Sequence, residues 1–431
     1  MRKNLMLIKL YALQSMQKLS IGLAILLMAC GSGNDKKLAT APADAENTVR
    51  IGLLFPMSGP WVKGPAWRNA AEMAAAEINA SGGVLGHPIE LLIADTQTVP
   101  EVAATQAQFL IDQQVTAIVG AAASSSTILS ASTTTIPSGV LLVSPASTSP
   151  ALTALDDQDL VWRTVASDLF QGRVAAQWAY EEGARTAGIL FVDNVYGQGL
   201  SAAFTAEFER LGGSVENPVD YPELSSDDIN DFSYESRVDS VFSGKPDLVY
   251  LITYDQDGAK ITVSAANYIT DSYRPIFLGC DGNQSQAFAD NSAPNVIEGM
   301  VGTLPIAPEG SDTYRAFADE YSKLYGVAPE SFSESTYDAI YLIALAATQA
   351  GSTAARAMAA EMRAVSAGGT PVSYRDYATA LSLIAAGEDI DYVGAAGAVD
   401  FDINGDVESG TYRIWRVENG AFVTLETVAF P

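Results

Sequence analysis

Several residues suited to binding a small anion follow the predicted strands of this 431-residue chain. Ser124 opens a predicted helix after the strand 116–120, so its hydroxyl and the unpaired N–H groups stand at the positive end of a helix dipole. Thr148 follows the strand 140–145 and could donate an N–H and a hydroxyl to the same anion, while Ala146 could offer a carbonyl to a cation. These neutral groups predict a receptor for a carboxylate or a phosphate. Simple N-capping would explain Ser124 equally well.

Two tyrosines and one carboxylate follow strands in the second half of the chain: Tyr196, Tyr254 and Asp281. In doubly wound parallel sheets, ligands bind outside the carboxyl ends of the strands. We therefore expect these side chains to face the neutral anion receptor across a cleft. An anion receptor opposite a lone carboxylate suits a small zwitterion, so the pattern predicts an amino-acid ligand.

The order of elements predicts the fold class. Strands and helices alternate from residue 48 to residue 279, which is typical of βαβ units with parallel sheets. The alternation restarts near residue 161, so the sequence predicts an α/β fold with two Rossmann-like lobes and a ligand cleft between them. Three helical segments follow, at 313–325, 335–350 and 374–386, and the end of the chain has short strands.

These elements suggest a division of the chain into two lobes. We assign residues 48–165 and 303–395 to the N-terminal lobe. The C-terminal lobe takes residues 166–302 and 396–431. The helix predicted at 199–211 belongs to this second lobe.

The first residues of the chain resemble an export signal. Residues 1–29 carry four basic and no acidic residues, and their apolar run 21–29 is too short to span a bilayer. Cys30 follows small and apolar residues and precedes a polar stretch, as in a bacterial lipobox. This resemblance implies cleavage before Cys30, a lipid on its sulfur and a flexible tether over 30–47, with the body periplasmic or at the cell surface. A chance cysteine after an ordinary signal peptide is the alternative.

The composition excludes several classes of function. Acidic residues outnumber basic residues 51 to 24, for a net charge of −27, which argues against nucleic-acid binding. The single histidine, His87, excludes sites built from several histidines, and its polar context before a proline predicts a surface turn. The two cysteines, Cys30 and Cys280, make no disulfide framework. We expect neither a metal nor a cofactor.

Two further patterns have ordinary explanations. Gly197, Gly199 and Ala202 fit a dinucleotide-binding fingerprint, but two residues separate this motif from its strand. The acidic segment 400–408 has the spacing of the first half of a calcium loop, but position twelve is Thr411 where such loops have a bidentate glutamate. A turn is the simpler interpretation of that segment.

Several short segments, taken in order, resemble the leucine/isoleucine/valine-binding family of periplasmic binding proteins, the extracytoplasmic receptors of ABC importers. They are 57–60 (MSGP), 76–86 (AEINASGGVLG), 124–127 (SSST), 144–146 (SPA), 196–200 (YGQGL), 336–339 (TYDA) and 401–402 with 405–406 (FD and GD). The resemblance extends from about residue 48 to residue 425. Each segment is weakly specific, but their order and spacing together are specific.

The resemblance implies roles for the polar residues. Ser124 and Thr148 would hold the ligand α-carboxylate, and Ala146 would accept a hydrogen bond from the ammonium group. Asp281 stands at the acidic position that pairs with the ammonium group, where the family commonly has glutamate. The shorter side chain would alter the cleft or leave space for a water molecule.

The resemblance also implies roles for aromatic residues. Tyr196 and Tyr254 would cover the ligand from the second lobe, and Trp61 would contact the ligand side chain and narrow the space for it. Ala123 stands where well-known members have a disulfide cysteine, so that disulfide is absent. Cys280 is predicted to be a small buried residue.

The resemblance implies a monomeric, lipid-anchored receptor that closes around an aliphatic amino acid and delivers it to an ABC permease. A ligand-sensing domain of a signalling partner is an alternative, and urea, a short amide or an aliphatic acid could be the ligand. An enzyme on this fold is a further alternative, but the sequence has no evident nucleophile and base pair. The protein is therefore predicted not to be an enzyme.

Overall fold

The computed structural model describes residues 48–216, 218–308 and 310–430. The predicted signal peptide, Cys30 and the tether lie outside the described residues. Within the described ranges, no helix combines the length and the apolar content that crossing a bilayer requires.

The first lobe is built on a five-stranded parallel sheet with the strand order β2-β1-β3-β4-β5. Its strands are β1 (Val49–Phe55), β2 (Ile89–Asp95), β3 (Ala117–Gly120), β4 (Leu141–Ser144) and β5 (Val161–Arg163). Its early helices are α1 (Gly64–Ala80), α2 (Pro100–Asp112), α3 (Ser124–Ser130) and α4 (Ile136–Ser138), with a π-helical turn (Ala131–Thr135) before α4. Strand β1 is buried on both faces along nearly its whole length, as parallel strands between helices are.

The second lobe repeats this order. Strands β7 and β8 both pair with β6, and the path then continues through β9, β10 and β11, all parallel. The strands are β6 (Thr186–Asp193), β7 (Ser214–Val215), β8 (Val219–Pro222), β9 (Leu248–Ile252), β10 (Ile276–Gly279) and β11 (Val301–Ile306). Its helices are α5 (Asp168–Glu181), α6 (Val195–Arg210), α7 (Ser226–Asp231), α8 (Glu235–Phe242), α9 (Asp255–Ala265), α10 (Gln286–Asn291) and α11 (Pro294–Ile297), with short 3-10 turns at Ala266–Tyr268 and Asp281–Asn283.

The last third of the chain completes both lobes. It adds α12 (Asp312–Tyr325), α13 (Ser333–Ala350), α14 (Ala355–Ser366) and α15 (Tyr377–Ala386), and a small sheet of β12 (Thr370–Ser373), β13 (Ile390–Gly394) and β14 (Gly397–Ala398). Two antiparallel strands, β15 (Gly410–Glu418) and β16 (Ala421–Phe430), then extend the second lobe's sheet beside β11. Helix α13 is buried from its first residue to Ala347 and forms the centre of the first lobe.

The chain passes between the lobes three times: after β5, after β11 and before β15. The strand pairing puts Val301–Ile306 in the second lobe's sheet and Gly397–Ala398 in the small sheet. Both lie a few residues from the lobe boundaries suggested by the sequence. Three crossings make a short hinge about which the lobes can close.

Two helix boundaries predicted from the sequence were wrong, and capping explains both. Helix α6 begins at Val195, before the predicted residue 199. The Asn194 side chain caps it there, because it accepts hydrogen bonds from the N–H groups of Tyr196 and Gly197. Helix α15 begins at Tyr377, after the predicted residue 374, because Asp376 caps it and the preceding residues form β12.

Candidate ligand-binding site

The seven predicted ligand-binding residues all lie in the interior of the molecule, at the facing strand ends of the two lobes. None exposes more than 4% of its surface: Trp61, Ser124, Ala146, Thr148, Tyr196, Tyr254 and Asp281. Four of them follow the strands where the order reverses, which are β1 and β3 in the first lobe and β6 and β9 in the second, and the other three follow the adjacent strands β4 and β10. Ligands of open α/β sheets bind at this position.

The first lobe supplies hydrogen-bond donors without a positive charge. Ser124 is the first residue of α3, and its Oγ accepts a hydrogen bond of 3.2 Å from the Ser149 N–H. The Thr148 carbonyl accepts from the Asp168 N–H at 2.8 Å. Thr148 Oγ1 is buried near Asp168 but has no partner with hydrogen-bond geometry in the described chain. This hydroxyl is therefore available to a ligand.

A buried arginine fixes the loop that carries Thr148. Arg163 is 1% exposed, and its Nη1 donates to the carbonyls of Ser147 and Ser149 at 3.3 and 2.9 Å. Its Nε and Nη2 form a bidentate ion pair with Asp406, each at 2.6 Å. Asp406 lies in the segment 400–408, which has the spacing of the first half of a calcium loop. In the structure this carboxylate pairs with Arg163. No group of three or more His, Cys, Asp or Glu residues that could hold a metal ion occurs among the described residues.

The second lobe supplies a carboxylate held by two donors. Tyr196 Oη donates to Asp281 Oδ1 at 2.8 Å, and Gln171 Nε2 donates to the same oxygen at 2.9 Å. The rings of Tyr196 and Tyr254 stack with their centroids 5.7 Å apart. Asn194 Nδ2 donates to Tyr254 Oη at 3.3 Å. The two tyrosines therefore form an ordered aromatic wall beside the carboxylate.

Asp168 is a second buried carboxylate that the sequence analysis did not identify. Both of its oxygens are buried without a hydrogen-bond partner in the described chain. Burial raises the pKa of Asp168 well above its usual range, and the charge of Asp281 raises it further, while Thr148 and Arg163 lower it by less. Burial also raises the pKa of Asp281, against the hydrogen bonds from Tyr196 and Gln171.

Two buried carboxylates in one site favour a positively charged partner. Without a cation they must share a proton or repel each other, since charges in a dry environment are costly unless paired. Asp168 could not be singled out from the sequence, because an acidic residue in the first turn of a helix is ordinary. Gln171, one turn further along α5, was also missed, because it follows no strand end.

Trp61 joins the two lobes through aromatic contact. Its ring centroid lies 5.7 Å from that of Tyr254 and 6.3 Å from that of Phe332. Trp61 Nε1 is buried without a partner among the described residues. Gln256 of the second lobe adds hydrogen bonds to the carbonyls of Gly59 and Pro60 at 3.0 and 3.3 Å. The cleft is thus closed over the site.

Close packing explains the glycines that fit a dinucleotide motif. A Cβ on Gly197 would lie 2.0 Å from the Val192 carbonyl oxygen, and one on Gly199 would lie 2.7 Å from Pro150 Cδ of the first lobe. Cys280 is buried, as predicted, with its Sγ 3.1 Å from Tyr196 Oη. Burial raises the pKa of its thiol, so it is an unreactive residue.

Comparison with known families identifies the class of protein. The family model for periplasmic binding proteins matches residues 48–419. The chain belongs to the periplasmic binding protein family. The resemblance inferred from short sequence segments is confirmed, and so is the two-lobed α/β fold. Members of this family bind solutes outside the cytoplasm and are not enzymes, and this binding protein shares that role.

Three similar proteins illustrate how far the likeness extends. The chemotactic signal transduction system substrate-binding protein BasB of Halobacterium salinarum is 30% identical over 89% of this chain and 90% of its own length. The leucine-, isoleucine-, valine-, threonine- and alanine-binding protein of Pseudomonas aeruginosa is 28% identical over 74% of this chain and 83% of its own. The crystal structure of the leucine-binding protein LivK of Thermotoga maritima superposes with a TM-score of 0.72 and 25% identity, over 88% of this chain and 99% of that one.

Proposed function

We propose that this binding protein captures a small aliphatic amino acid in the closed cleft and delivers it to an ABC permease. The observation that carries the proposal is the buried pair Asp168 and Asp281, which faces the unpartnered hydroxyl of Thr148. The ligand ammonium group would lie against the two carboxylates. The ligand carboxylate would lie against Thr148 and the start of α3 at Ser124.

The walls around these polar groups favour an apolar ligand side chain. Trp61, Tyr196 and Tyr254 present aromatic surface, and burial of an aliphatic side chain against them contributes about 25 cal/mol for each Å². The similar proteins from Pseudomonas aeruginosa and Thermotoga maritima are both named as amino-acid-binding proteins, which supports this choice.

Hinge closure would couple ligand capture to delivery. Hydrogen bonds between the lobes include Ser125 Oγ to Glu223 Oε1 at 2.8 Å and Ser149 Oγ to the Val195 carbonyl at 2.6 Å. A ligand that contacts both lobes would favour this closed form over an open one. The permease would then recognise the closed form. A monomer suffices for this mechanism.

The proposal extends to the N-terminal segment. Cleavage before Cys30 and lipid attachment to its sulfur would hold the body at a membrane surface through the tether 30–47. Mass spectrometry of the mature N-terminus tests this: a diacylglycerol-modified Cys30 supports it, and an unmodified N-terminus at another residue contradicts it.

A sensory role is the second candidate, and the similarity to BasB favours it. In that case the closed form would bind a signalling receptor in place of a permease. Disruption of the gene separates the two roles. Loss of uptake of a radiolabelled amino acid supports transport, and loss of the behavioural response with unchanged uptake supports sensing.

Ligand identity is tested by thermal shift of the purified, ligand-free protein with amino acids, short amides, urea and aliphatic acids. A ligand at 100 times its Kd stabilises the fold by about 2.7 kcal/mol. A shift limited to aliphatic amino acids supports the proposal. A shift only with urea, amides or acids contradicts the assignment of Asp168 and Asp281 to an ammonium group.

A further inference from the structure

A second cavity, of about 440 Å³, lies between the lobes, and none of the seven predicted ligand-binding residues lines it. Its charged walls come from both lobes: Lys63, Glu330 and Glu334 from the first, and Asp255 and Arg413 from the second. We name this space the second cleft cavity. Small-molecule sites usually have volumes of roughly 300–1,000 Å³, so it is large enough for a ligand.

One wall of the second cleft cavity carries a buried carboxylate that no other residue pairs with in the described chain. Glu334 lies in the first turn of α13 and is only 5% exposed. Within the described chain, no other residue donates a hydrogen bond to its carboxylate or forms an ion pair with it. A buried carboxylate in this state is costly, and a positively charged or hydrogen-bond-donating group would relieve that cost.

A guanidinium group of the second lobe also lines the second cleft cavity. Arg413 lies on β15, its Nε is buried, and that atom has no acceptor in the described chain. Arg413 lies close enough to Glu334 to lower the pKa of that carboxyl, yet the two groups do not form an ion pair within 4.0 Å. The cavity is therefore lined by a carboxylate and a guanidinium group that are close to each other but do not form an ion pair.

A second cation, Lys63 of the first lobe, also lines the cavity. Lys63 is 3% exposed, and its Nζ lies 3.4 Å from Glu330, whose side chain is 52% exposed. An ion pair that is this long and half exposed contributes little to the stability of the fold. Asp255 is already engaged, because it accepts a hydrogen bond of 2.6 Å from Ser285. An anion in the cavity would meet two cations, Arg413 and Lys63, and Lys63 also interacts with Asp255 and Glu330.

We propose that the second cleft cavity binds a second small zwitterion. Its carboxylate would accept hydrogen bonds from Arg413 and Lys63, and its ammonium group would donate to Glu334. Because these groups belong to both lobes, the bound zwitterion would favour the closed form and strengthen binding at the first site. The site itself does not depend on which ligand the first site takes.

The test uses the Asp281→Ala protein, in which the first site keeps only one of its two proposed ammonium partners, Asp168. Glycine is the probe, and acetate and methylammonium carry one of its charges each. We expect isothermal titration to show saturable glycine binding in Asp281→Ala. Adding Glu334→Gln or Arg413→Gln should weaken it by about tenfold or more, since each removes a charge-assisted hydrogen bond.

Matched variants make the result decisive. Arg416→Gln is the control for Arg413→Gln, because Arg416 lies on the same strand and pairs with Glu418 outside the cavity. The nearly isosteric Glu334→Gln tests the cavity if Arg413→Gln lowers the melting temperature. Three outcomes would overturn the inference: no saturable glycine binding in Asp281→Ala, binding unaffected by both cavity variants, or acetate binding as tightly as glycine.

The inference and the proposed function can fail separately. The proposed function is wrong if the wild-type protein binds no amino acid, or if Asp281→Ala abolishes the binding of none of the amino acids that it does bind. Glycine binding that still depends on Glu334 and Arg413 would in that case uphold the second site. If an amino acid binds through Asp281 and the cavity variants change nothing, the second site is wrong.

Discussion

Tyr196 Oη donates a hydrogen bond of 2.8 Å to Oδ1 of Asp281, in the interior of the closed cleft. Gln171 donates to the same oxygen, so both hydrogen bonds orient the carboxylate through one atom. The other oxygen, Oδ2, accepts no side-chain hydrogen bond within the described chain. An oriented carboxylate whose second oxygen has no side-chain donor suits recognition of an ammonium group.

The first prediction concerns this carboxylate. We expect Asp281→Ala to weaken binding of an aliphatic amino acid more than about 100-fold, which corresponds to about 2.7 kcal/mol, because a buried ammonium group loses one of its two charged partners. Tyr196→Phe should weaken binding less, since it removes only an orienting donor. Isothermal titration measures both.

Asp193→Ala is the control for this prediction. Asp193 is the exposed last residue of β6 and should leave the affinity unchanged. The melting temperature of ligand-free Asp281→Ala should not fall, because the variant removes a buried charge that lacks a cation. Unchanged affinity in Asp281→Ala would remove this residue from the site.

The second prediction concerns the pH dependence of stability. Burial raises the pKa of Asp257 and the pKa of Asp338 from 3.8 to about 7. Each carboxyl keeps a proton in the folded protein that it loses in the unfolded chain, so this stability is present below pH 4 and is lost as the pH rises through 7. One unit of pKa difference is worth about 1.4 kcal/mol. We expect a higher melting temperature at pH 5 than at pH 8.

Variants assign this pH dependence. Asp257→Asn should reduce the difference between pH 5 and pH 8, because the amide does not titrate. Asp247 is the opposite case, since hydrogen bonds from the Arg185 N–H and Thr186 lower its pKa. Its contribution is lost only as the pH falls below about 4, so Asp247→Asn should leave the difference between pH 5 and pH 8 unchanged. Equal slopes in the wild type and Asp257→Asn would contradict the prediction.

The ends of the strands show how much of the site the sequence could predict. The sequence could predict the site residues that follow strands, because the carboxyl ends of parallel strands meet at one edge of a sheet whatever the packing of the helices between them. These residues include Ser124, Thr148, Tyr196 and Asp281. Asp168 was missed because it follows a crossing between the lobes and not a strand end. Its proximity to Asp281 results from the packing of α5 against the second sheet, which no local pattern contains.

The same distinction applies to the fold. The long, apolar strands such as β1 and β6 were predicted because their composition is typical of buried parallel strands. The two-residue β7 was missed because it is short and half polar, and its pairing with β6 is decided by tertiary contacts. The second cleft cavity depends on how two lobes meet, so it has no signature in the sequence.

The third prediction concerns the buried ion pair between Arg163 and Asp406. Breaking it with Asp406→Ala should lower the free energy of unfolding by about 3–5 kcal/mol, because Arg163 is left buried without its carboxylate. Amino-acid binding should also weaken, since Arg163 fixes the loop that carries Thr148. Urea denaturation measures the first effect and isothermal titration the second.

The half-exposed ion pair between Arg363 and Asp159 is the control for this prediction. Asp159→Ala should cost no more than about 1 kcal/mol from loss of that pair, because solvent screens it. Equal effects of Asp406→Ala and Asp159→Ala on stability would show that burial does not strengthen the Arg163 pair.

The fourth prediction concerns ligand size. Trp61 lies against Tyr254 and narrows the cleft, so Trp61→Ala should enlarge the space for the ligand side chain. Changes of one methylene group in a hydrophobic pocket are worth roughly 10–200-fold in discrimination. We expect the ratio of the affinities for phenylalanine and valine to rise at least about tenfold in Trp61→Ala and by an intermediate factor in Trp61→Leu. Competition titrations measure this ratio, and a ratio that does not change in either variant would mean that Trp61 does not contact the ligand side chain.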